Sequence, residues 1–262
     1  MKDLILNHLP ASFPWRGNIH YFDTIDSTNT HIRKLAAAGA PHGTVVIAAS
    51  QTGGRGRLGR SFHSPVGGVY MSVLLRFDLP PQQLMHLTCA TAVAMCDAVE
   101  EAACIRPGIK WTNDLVANGK KLGGILTGLS LSGDRVEYAV IGIGINCCQT
   151  ATDFPSDLQN IATSLHLCAE KAPDWAALAA AMLSALVHMD HSLADVDAIL
   201  EKYRKNCITL GKEISLLRGE EVRHGKAMDV DKDGALVVEF SDGHTESVNS
   251  GEVSIRGMYG YI

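Results

Sequence analysis

The eight residues Gly53-Gly54-Arg55-Gly56-Arg57-Leu58-Gly59-Arg60 hold four glycines and three arginines. Glycine lets a backbone take φ > 0 and come close to a ligand. Arginine carries a planar fork of donors that matches carboxylate and phosphate. The apolar run Thr44–Ala49 leads straight into this segment and predicts a buried strand that ends in a basic loop. Such a loop suits an anionic ligand, although a solvated, flexible basic loop has the same composition. Gly54, Gly59, Arg60 and Ser61 also approach a phosphate-binding P-loop, with arginine in place of lysine. That motif requires a helix immediately afterwards. Phe62–Gly68 contains a proline and two glycines and is a poor helix start.

The chain has 262 residues, enough for one large domain or a large and a small one, and 46% are hydrophobic. Its formal charge of −5 gives no global electrostatic case for nucleic acid, so DNA is not an expected partner. No apolar run reaches membrane-spanning length, and the N-terminus lacks a signal-peptide pattern. The seven cysteines form no C-x-x-C pair, so zinc templates fail and no metal ligands are identifiable. Cys89 and Cys96 lie a heptad apart, as core residues do; Cys147-Cys148 reads as buried thiols after a strand rather than a reactive pair. This cysteine usage suits a reducing, cytoplasmic setting.

Periodicity predicts a helix over 30–38 that Gly39 ends, strands at 44–49 and 69–77, and a long helix from Pro81 to about 103. A short strand at 109–111, a hairpin turn at Asn118-Gly119 and strands at 122–131 and 136–146 follow. Residues 157–168 and 174–206 read as helical. Residues 1–18 show no clear periodicity. After Gly211 the turns become frequent: Arg218-Gly219, Asp233-Gly234, Asp242-Gly243 and Ser250-Gly251 separate short strand candidates at 214–217, 235–240 and 253–256. Closely spaced strands of this kind predict a small all-β barrel, with a domain boundary near Leu210.

Asp26-Ser27-Thr28-Asn29, Gln51 with the arginine loop, Lys110-Trp111-Thr112-Asn113-Asp114, Lys120-Lys121-Leu122-Gly123-Gly124-Ile125-Leu126 and Gly142-Ile143-Gly144-Ile145-Asn146 occur in this order. Together they resemble the biotin protein ligase family, from about residue 20 to the C-terminus. The resemblance implies an α+β fold: a mixed β-sheet with helices, of the class II synthetase-like biotin/lipoate ligase type, over 1–210, and an SH3-like barrel over 211–262. It implies a ligase that activates biotin with ATP to biotinyl-5'-AMP and then transfers the biotinyl group to a lysine of a biotin carboxyl carrier protein, with Mg2+ accompanying the triphosphate. With only about 20 residues before the first motif, it implies the stand-alone type without a DNA-binding domain. Monomer and homodimer both occur in the family.

The same resemblance assigns residues. Arg57, Lys121 and Asp114 would be catalytic, Asp114 as a base or metal-linked group in the second step. Ser27, Thr28, Asn29, Gln51, Arg55, Gly56, Arg57, Lys121, Gly123 and Gly124 would hold biotin; hydroxyls and amides that both donate and accept suit its ureido ring. Arg57, Arg60, Lys110, Trp111, Asn113, Asn146 and Arg256 would hold ATP. By position alone Ser27–Asn29 is also a helix N-cap, Lys121 an exposed lysine and Asp114 a turn residue. Gly142 and Gly144 let a strand pass close to a ligand. Thr112 stands where the family usually has proline, and Val116 where an aromatic is common. A lipoate–protein ligase and a non-catalytic biotin- or nucleotide-sensing protein are the rival readings. His188 and His191, three apart with no third ligand, read as surface or partly buried residues.

Overall fold

The computed structural model describes residues 1–262 except 170, 172, 219–220, 250–253 and 257–262. Seven strands form the main sheet: β1 (Ile19–Ile25), β2 (Thr44–Gln51), β3 (Gly68–Leu79), β4 (Gly108–Lys110), β5 (Asp114–Ala117), β6 (Lys120–Ser132) and β7 (Arg135–Asn146). Their spatial order is β1-β2-β3-β7-β6-β5-β4, with β1 and β2 parallel and the remaining pairs antiparallel. Between the parallel strands runs α2 (Thr28–Ala37), the crossover that parallel pairing requires. Ser27 caps it, its Oγ accepting from Thr30 N–H at 3.4 Å.

The two faces of the sheet are covered unequally, and this creates the site. On one face α3 (Leu87–Ala103), α5 (Trp175–Ser192) and α6 (Val196–Asn206) pack into the main core with Val45, Ile47, Met71, Ile141 and Ile143. On the other face α2 alone packs, through Ile32 and Ala36, on Val46, Leu74 and Val140. β2 and β3 are therefore buried on both sides and read as continuous apolar runs rather than alternating ones. β6 and the adjoining part of β7 lie under the edge of α2, whose Asn29 and Arg33 side chains reach over Gly142 and Gly128. Glycines occupy that stretch: Gly124 pairs with Gly144, and Gly128 with Val140.

The helix expected over 157–168 is mostly turns, with only α4 (Leu165–Cys168) helical and capped by Ser164. Pro155 to Ala162 forms short-range turns instead, and its chain then bonds alongside Lys121. The helix expected over 174–206 is two helices, because Asp195 caps a new one by accepting from Ala198 N–H. Residues 1–18, without periodicity, include the short helix α1 (Lys2–Asn7), which buries Ile5. Cys147 is buried as expected, whereas Cys148 is exposed; residue 147 faces the core and its neighbour must face away.

From Glu213 onward a second, antiparallel sheet forms: β8 (Glu213–Arg218), β9 (Glu221–Val230), β10 (Leu236–Phe240), β11 (Thr245–Val248) and β12 (Ser254–Arg256), in the order β11-β10-β9-β8-β12. Its apolar face, with Ile214, Ala227, Leu236 and Val238, continues the main core. The Trp111 indole N–H donates to Gly234 O at 3.0 Å across the junction. Arg204 Nε adds an ion pair to Asp229 at 2.7 Å.

Candidate functional site

This glycine stretch floors a cavity of about 190 Å3. Its walls are the start of α2, the arginine loop and the β4–β6 segment. At the floor, side chains from elsewhere take the space that the glycines leave. A Cβ at Gly144 would stand 2.6 Å from Phe62 Cε1, and one at Gly142 would overlap the Asn29 amide. Phe62 and Asn29 therefore reach the sheet because those strand residues have no side chains.

At the α2 end a hydrogen-bond chain fixes the polar groups. Thr28 N–H and Thr28 Oγ1 both donate to Gln51 Oε1, at 2.9 and 3.1 Å. Ser72 Oγ donates to Thr28 Oγ1 at 2.8 Å. Gln51 Nε2 donates to Ser64 Oγ at 3.0 Å, and Ser64 Oγ to Phe62 O at 2.9 Å. Asn29 Oδ1 stands apart from this chain: it is buried and has no partner among the described residues. A buried acceptor without a donor costs free energy, roughly 1–3 kcal/mol.

The arginine loop closes one side. Gly56 N–H donates to Arg60 O at 2.7 Å and Phe62 N–H to Gly54 O at 2.9 Å, so the loop is a narrow hairpin with a single 3-10 turn at Arg57–Gly59. No helix follows Ser61, which excludes the P-loop geometry. Arg57 Nη1 donates to Asn113 Oδ1 at 2.9 Å, tying loop to β-segment. Arg55 and Arg60 are exposed at the mouth. The loop tip carries Leu58, which is 62% exposed and left-handed at φ 56.

The opposite wall carries the remaining charge. Lys121 Nζ pairs with Asp114 Oδ1 at 2.7 Å. Asn113 Nδ2 reaches Ile125 O at 2.9 Å and Asp114 Oδ1 at 3.3 Å. Lys110 is buried, with 4% of its surface exposed. Burial pushes its ammonium down to about 8; Asp114 opposes the shift and Lys121 adds to it. Burial likewise lowers the Arg57 guanidinium, with Asp114 opposing. Among the described lining residues Arg57, Lys110 and Lys121 thus face a single carboxylate, Asp114, and these residues give the cavity a surplus of positive charge.

Of the residues singled out in the sequence, Thr28, Asn29, Gln51, Arg55, Gly56, Arg57, Arg60, Lys110, Trp111, Asn113, Asp114, Lys121 and Gly124 all line this one cavity. Ser27, Gly123 and Asn146 do not. Ser27 caps α2, Gly123 packs against Gly144 O and Ile145, and Asn146 Nδ2 donates to Thr163 O at 2.8 Å. Arg256 falls in β12 opposite Ser215, and its side chain lies outside the described residues. Sequence reasoning missed Phe62, Ser64 and Ser72. Phe62 directly follows the arginine loop, which is a usable signal; Ser72 sits in an apolar strand with nothing to mark it. Thr112 is buried, and the Trp111–Thr112 peptide is cis. The described residues contain no group of three His, Cys, Asp or Glu that could hold a metal. No described helix is long and apolar enough to cross a membrane.

Residues 21–146 match the biotin/lipoate A/B protein ligase family, and residues 209–256 match the biotin protein ligase C terminal domain. The chain is 39% identical to the bifunctional ligase/repressor of Bacillus subtilis over 229 residues, covering 85% of this chain and 70% of that protein. It is 33% identical to the biotin–[acetyl-CoA-carboxylase] ligase of Mycobacterium tuberculosis, covering 87% of this chain and 85% of that one. The solved biotin protein ligase of Aquifex aeolicus in complex with biotin and ATP superposes with a TM-score of 0.77 at 29% identity, over 91% of this chain and 98% of that one.

Proposed function

The chain belongs to the biotin/lipoate A/B protein ligase family, and we propose that the cavity described above is where it joins biotin to AMP and passes the biotinyl group to a carrier protein. It is a biotin–[biotin carboxyl-carrier protein] ligase. In the first step a biotin carboxylate oxygen bonds to the α-phosphorus of ATP and the bond to pyrophosphate breaks. In the second, the lysine amine of the carrier bonds to the acyl carbon, the acyl–phosphate C–O bond breaks, and AMP leaves.

Asn29 Oδ1 is the observation that carries the choice of acid. A buried acceptor beside the fixed Thr28–Gln51 chain calls for an N–H donor. The ureido ring of biotin supplies one; the dithiolane ring of lipoate has none. The first step brings two anions together, and such a reaction needs positioning and positive charge more than covalent help. In this reading Lys121 and Arg57, which both line the cavity, serve the acid and the α-phosphate, and Lys110 with Arg60 serves the nucleotide. Magnesium travels with the triphosphate in this reading. Asp114, the only carboxylate among the described lining residues, suits an ion held mainly by phosphate and water rather than by a protein cage. Arg256 would assist the nucleotide from the 211–262 domain, while residues 1–210 bind biotin. The net charge of −5 and the burial of Lys110 in the cavity wall speak against DNA as a ligand of this site.

Exchange of labelled pyrophosphate into ATP tests the proposal. Exchange should require biotin and magnesium together. Exchange driven equally well by lipoate, or none with biotin, would overturn it.

A further inference from the structure

Cys147 and Cys148 take no part in the cavity, yet their sulfurs form a pair. Strand β7 ends at Asn146, and the chain bends at Cys148 instead of continuing the alternation of a strand. The Cys147 thiol is buried and the Cys148 thiol exposed, with 3.7 Å between the two Sγ atoms. The backbone around them is pinned on both sides. Cys148 N–H donates to Gly67 O at 2.7 Å, and Cys147 O accepts from His166 N–H at 2.8 Å. The segment that supplies His166 also braces the cavity wall. Asn146 Nδ2 donates to Thr163 O at 2.8 Å, and Thr163 N–H donates to Lys121 O at 2.8 Å. One hydrogen-bonded segment, 161–166, therefore joins the thiols to the strand that carries Lys121.

This spacing selects against a direct disulfide and against zinc. Adjacent Cα atoms stand about 3.8 Å apart across a trans peptide, less than the roughly 4.4 Å at which ordinary disulfides begin. A structural zinc takes four ligands, and the described residues offer no group of three His, Cys, Asp or Glu. A single thiophilic atom between the sulfurs is different. Two bonds of about 2.3 Å, the length of a zinc–thiolate bond, reach across the gap between the two Sγ atoms from a bridging atom. Trivalent arsenic forms two such bonds and keeps its third valence for carbon. We propose that Cys147 and Cys148 form a two-thiol capture site for trivalent arsenicals, and that its occupation disturbs the segment bracing Lys121. In the capture step two As–S bonds form, the arsenic–oxygen bonds break, and the oxygen leaves as water with the two thiol protons. No electrons are transferred, so no oxidant or reductant is needed. Burial pushes the Cys147 thiol up, so the exposed Cys148 bonds first and brings the arsenic to its neighbour. The capture site stands independently of the biotin ligase reading; its effect on ligand binding rests on that reading.

Phenylarsine oxide is the probe, read by native mass spectrometry after dialysis against 2-mercaptoethanol, which strips arsenic from single thiols. The wild type should retain one phenylarsenic group, and 2,3-dimercaptopropanol should remove it. Cys148→Ser and Cys147→Ala each keep one thiol of the pair and should bind at least about 100-fold more weakly, because the second, intramolecular bond is lost. Cys148→Ser changes an exposed side chain and decides alone if Cys147→Ala fails to fold. Cys104 is also exposed but caps the end of α3, and Cys104→Ser should leave retention unchanged. In calorimetry without nucleotide, the arsenical should weaken biotin by at least about fivefold, the low end of coupling between sites, in the wild type and not in Cys148→Ser. No retained arsenic in the wild type, or full retention in Cys148→Ser, would overturn the capture site. Retention with unchanged biotin affinity would overturn the coupling to Lys121. A wild type that binds no biotin before treatment would overturn the functional reading and the coupling with it, while the retention result stands.

Discussion

Gly124 and Gly144 face each other in register across β6 and β7, and both would project a Cβ into the cavity. Their surroundings differ. At Gly144 the Cβ would meet the Phe62 ring at 2.6 and 2.9 Å, a contact that forces the aromatic off the floor. At Gly124 the nearest atoms stand at 3.4 Å, ordinary van der Waals distance. Overpacking of the first kind costs roughly 1–3 kcal/mol. Gly144→Ala should therefore weaken biotin by about 10-fold or more, whereas Gly124→Ala should stay within about threefold. Calorimetry on the two folded variants checks this, and equal losses would show that Phe62 does not shape the pocket.

Arg57 bridges the loop and Asn113. A charge-assisted hydrogen bond contributes roughly 1.5–3 kcal/mol, or about 10- to 100-fold in affinity. Arg57→Gly should weaken biotin by that factor and, if the loop shields the bound adenylate from water, let biotinyl-AMP escape to hydrolysis. Calorimetry together with a free-adenylate assay is the check; intact affinity with no leakage would leave the loop a bystander.

If Lys110 serves ATP as proposed, its ammonium is the form that binds phosphate. Burial holds its pKa at about 8. The charge is present below that value and lost above it, so the Michaelis constant for ATP should climb as pH rises past about 8, by at most about tenfold per unit. In Lys110→Met the constant should be high at neutral pH and flat across the same range. A wild-type profile that is itself flat between pH 7 and 9 would remove Lys110 from the nucleotide site.

His42 gives a stability counterpart away from the cavity. Its Nε2 lies 2.8 Å from Asp190 Oδ2, joining the loop before β2 to the end of α5. The hydrogen bond to Asp190 raises the imidazole above 6.5, against desolvation. A raised folded pKa stabilises fully below the unfolded value of 6.5, and the contribution is lost as pH climbs through the folded value. His42 is 37% exposed, and screening limits the effect to under about 1 kcal/mol. Melting temperature should fall across that window in the wild type and fall less in Asp190→Asn.

The arginine loop, the two lysine segments and the glycine-bearing end of β7 were legible because each joins an unusual residue type to a local signal. Strands β2, β3, β6 and β7 were legible because burial on both faces makes them apolar runs. The failures have physical causes. Residues 157–168 carry helix-forming alanine and leucine, but the backbone of Lys121 takes up their hydrogen-bonding groups: Lys121 N–H donates to Ile161 O and Thr163 N–H to Lys121 O. The break at Leu193–Asp195 is a cap inside an alanine-rich run, where composition masks the signal. Nothing local could reveal that Lys121 pairs with Asp114, or that Asn29 has an unpaired acceptor, since both facts depend on the register of β5, β6 and β7.

Trp111 carries the last prediction, because it joins the cavity to the second sheet. It lines the site on one side and donates its indole N–H to Gly234 O at 3.0 Å on the other. Its own backbone N–H is anchored by Thr209 Oγ1 at 2.8 Å, so the strand position does not depend on the indole. Trp111→Phe keeps the apolar bulk and removes that donor, leaving a carbonyl unpaired at a cost of roughly 1–3 kcal/mol. If the 211–262 domain serves the nucleotide and the 1–210 domain serves biotin, the variant should raise the Michaelis constant for ATP by several-fold. Biotin affinity without nucleotide should remain within about threefold, since the Thr28–Gln51 chain and Asn29 are untouched. Steady-state ATP kinetics beside calorimetric biotin binding make the comparison. A folded variant that loses biotin while keeping its ATP constant would show that the acid site, not the nucleotide site, leans on the second sheet.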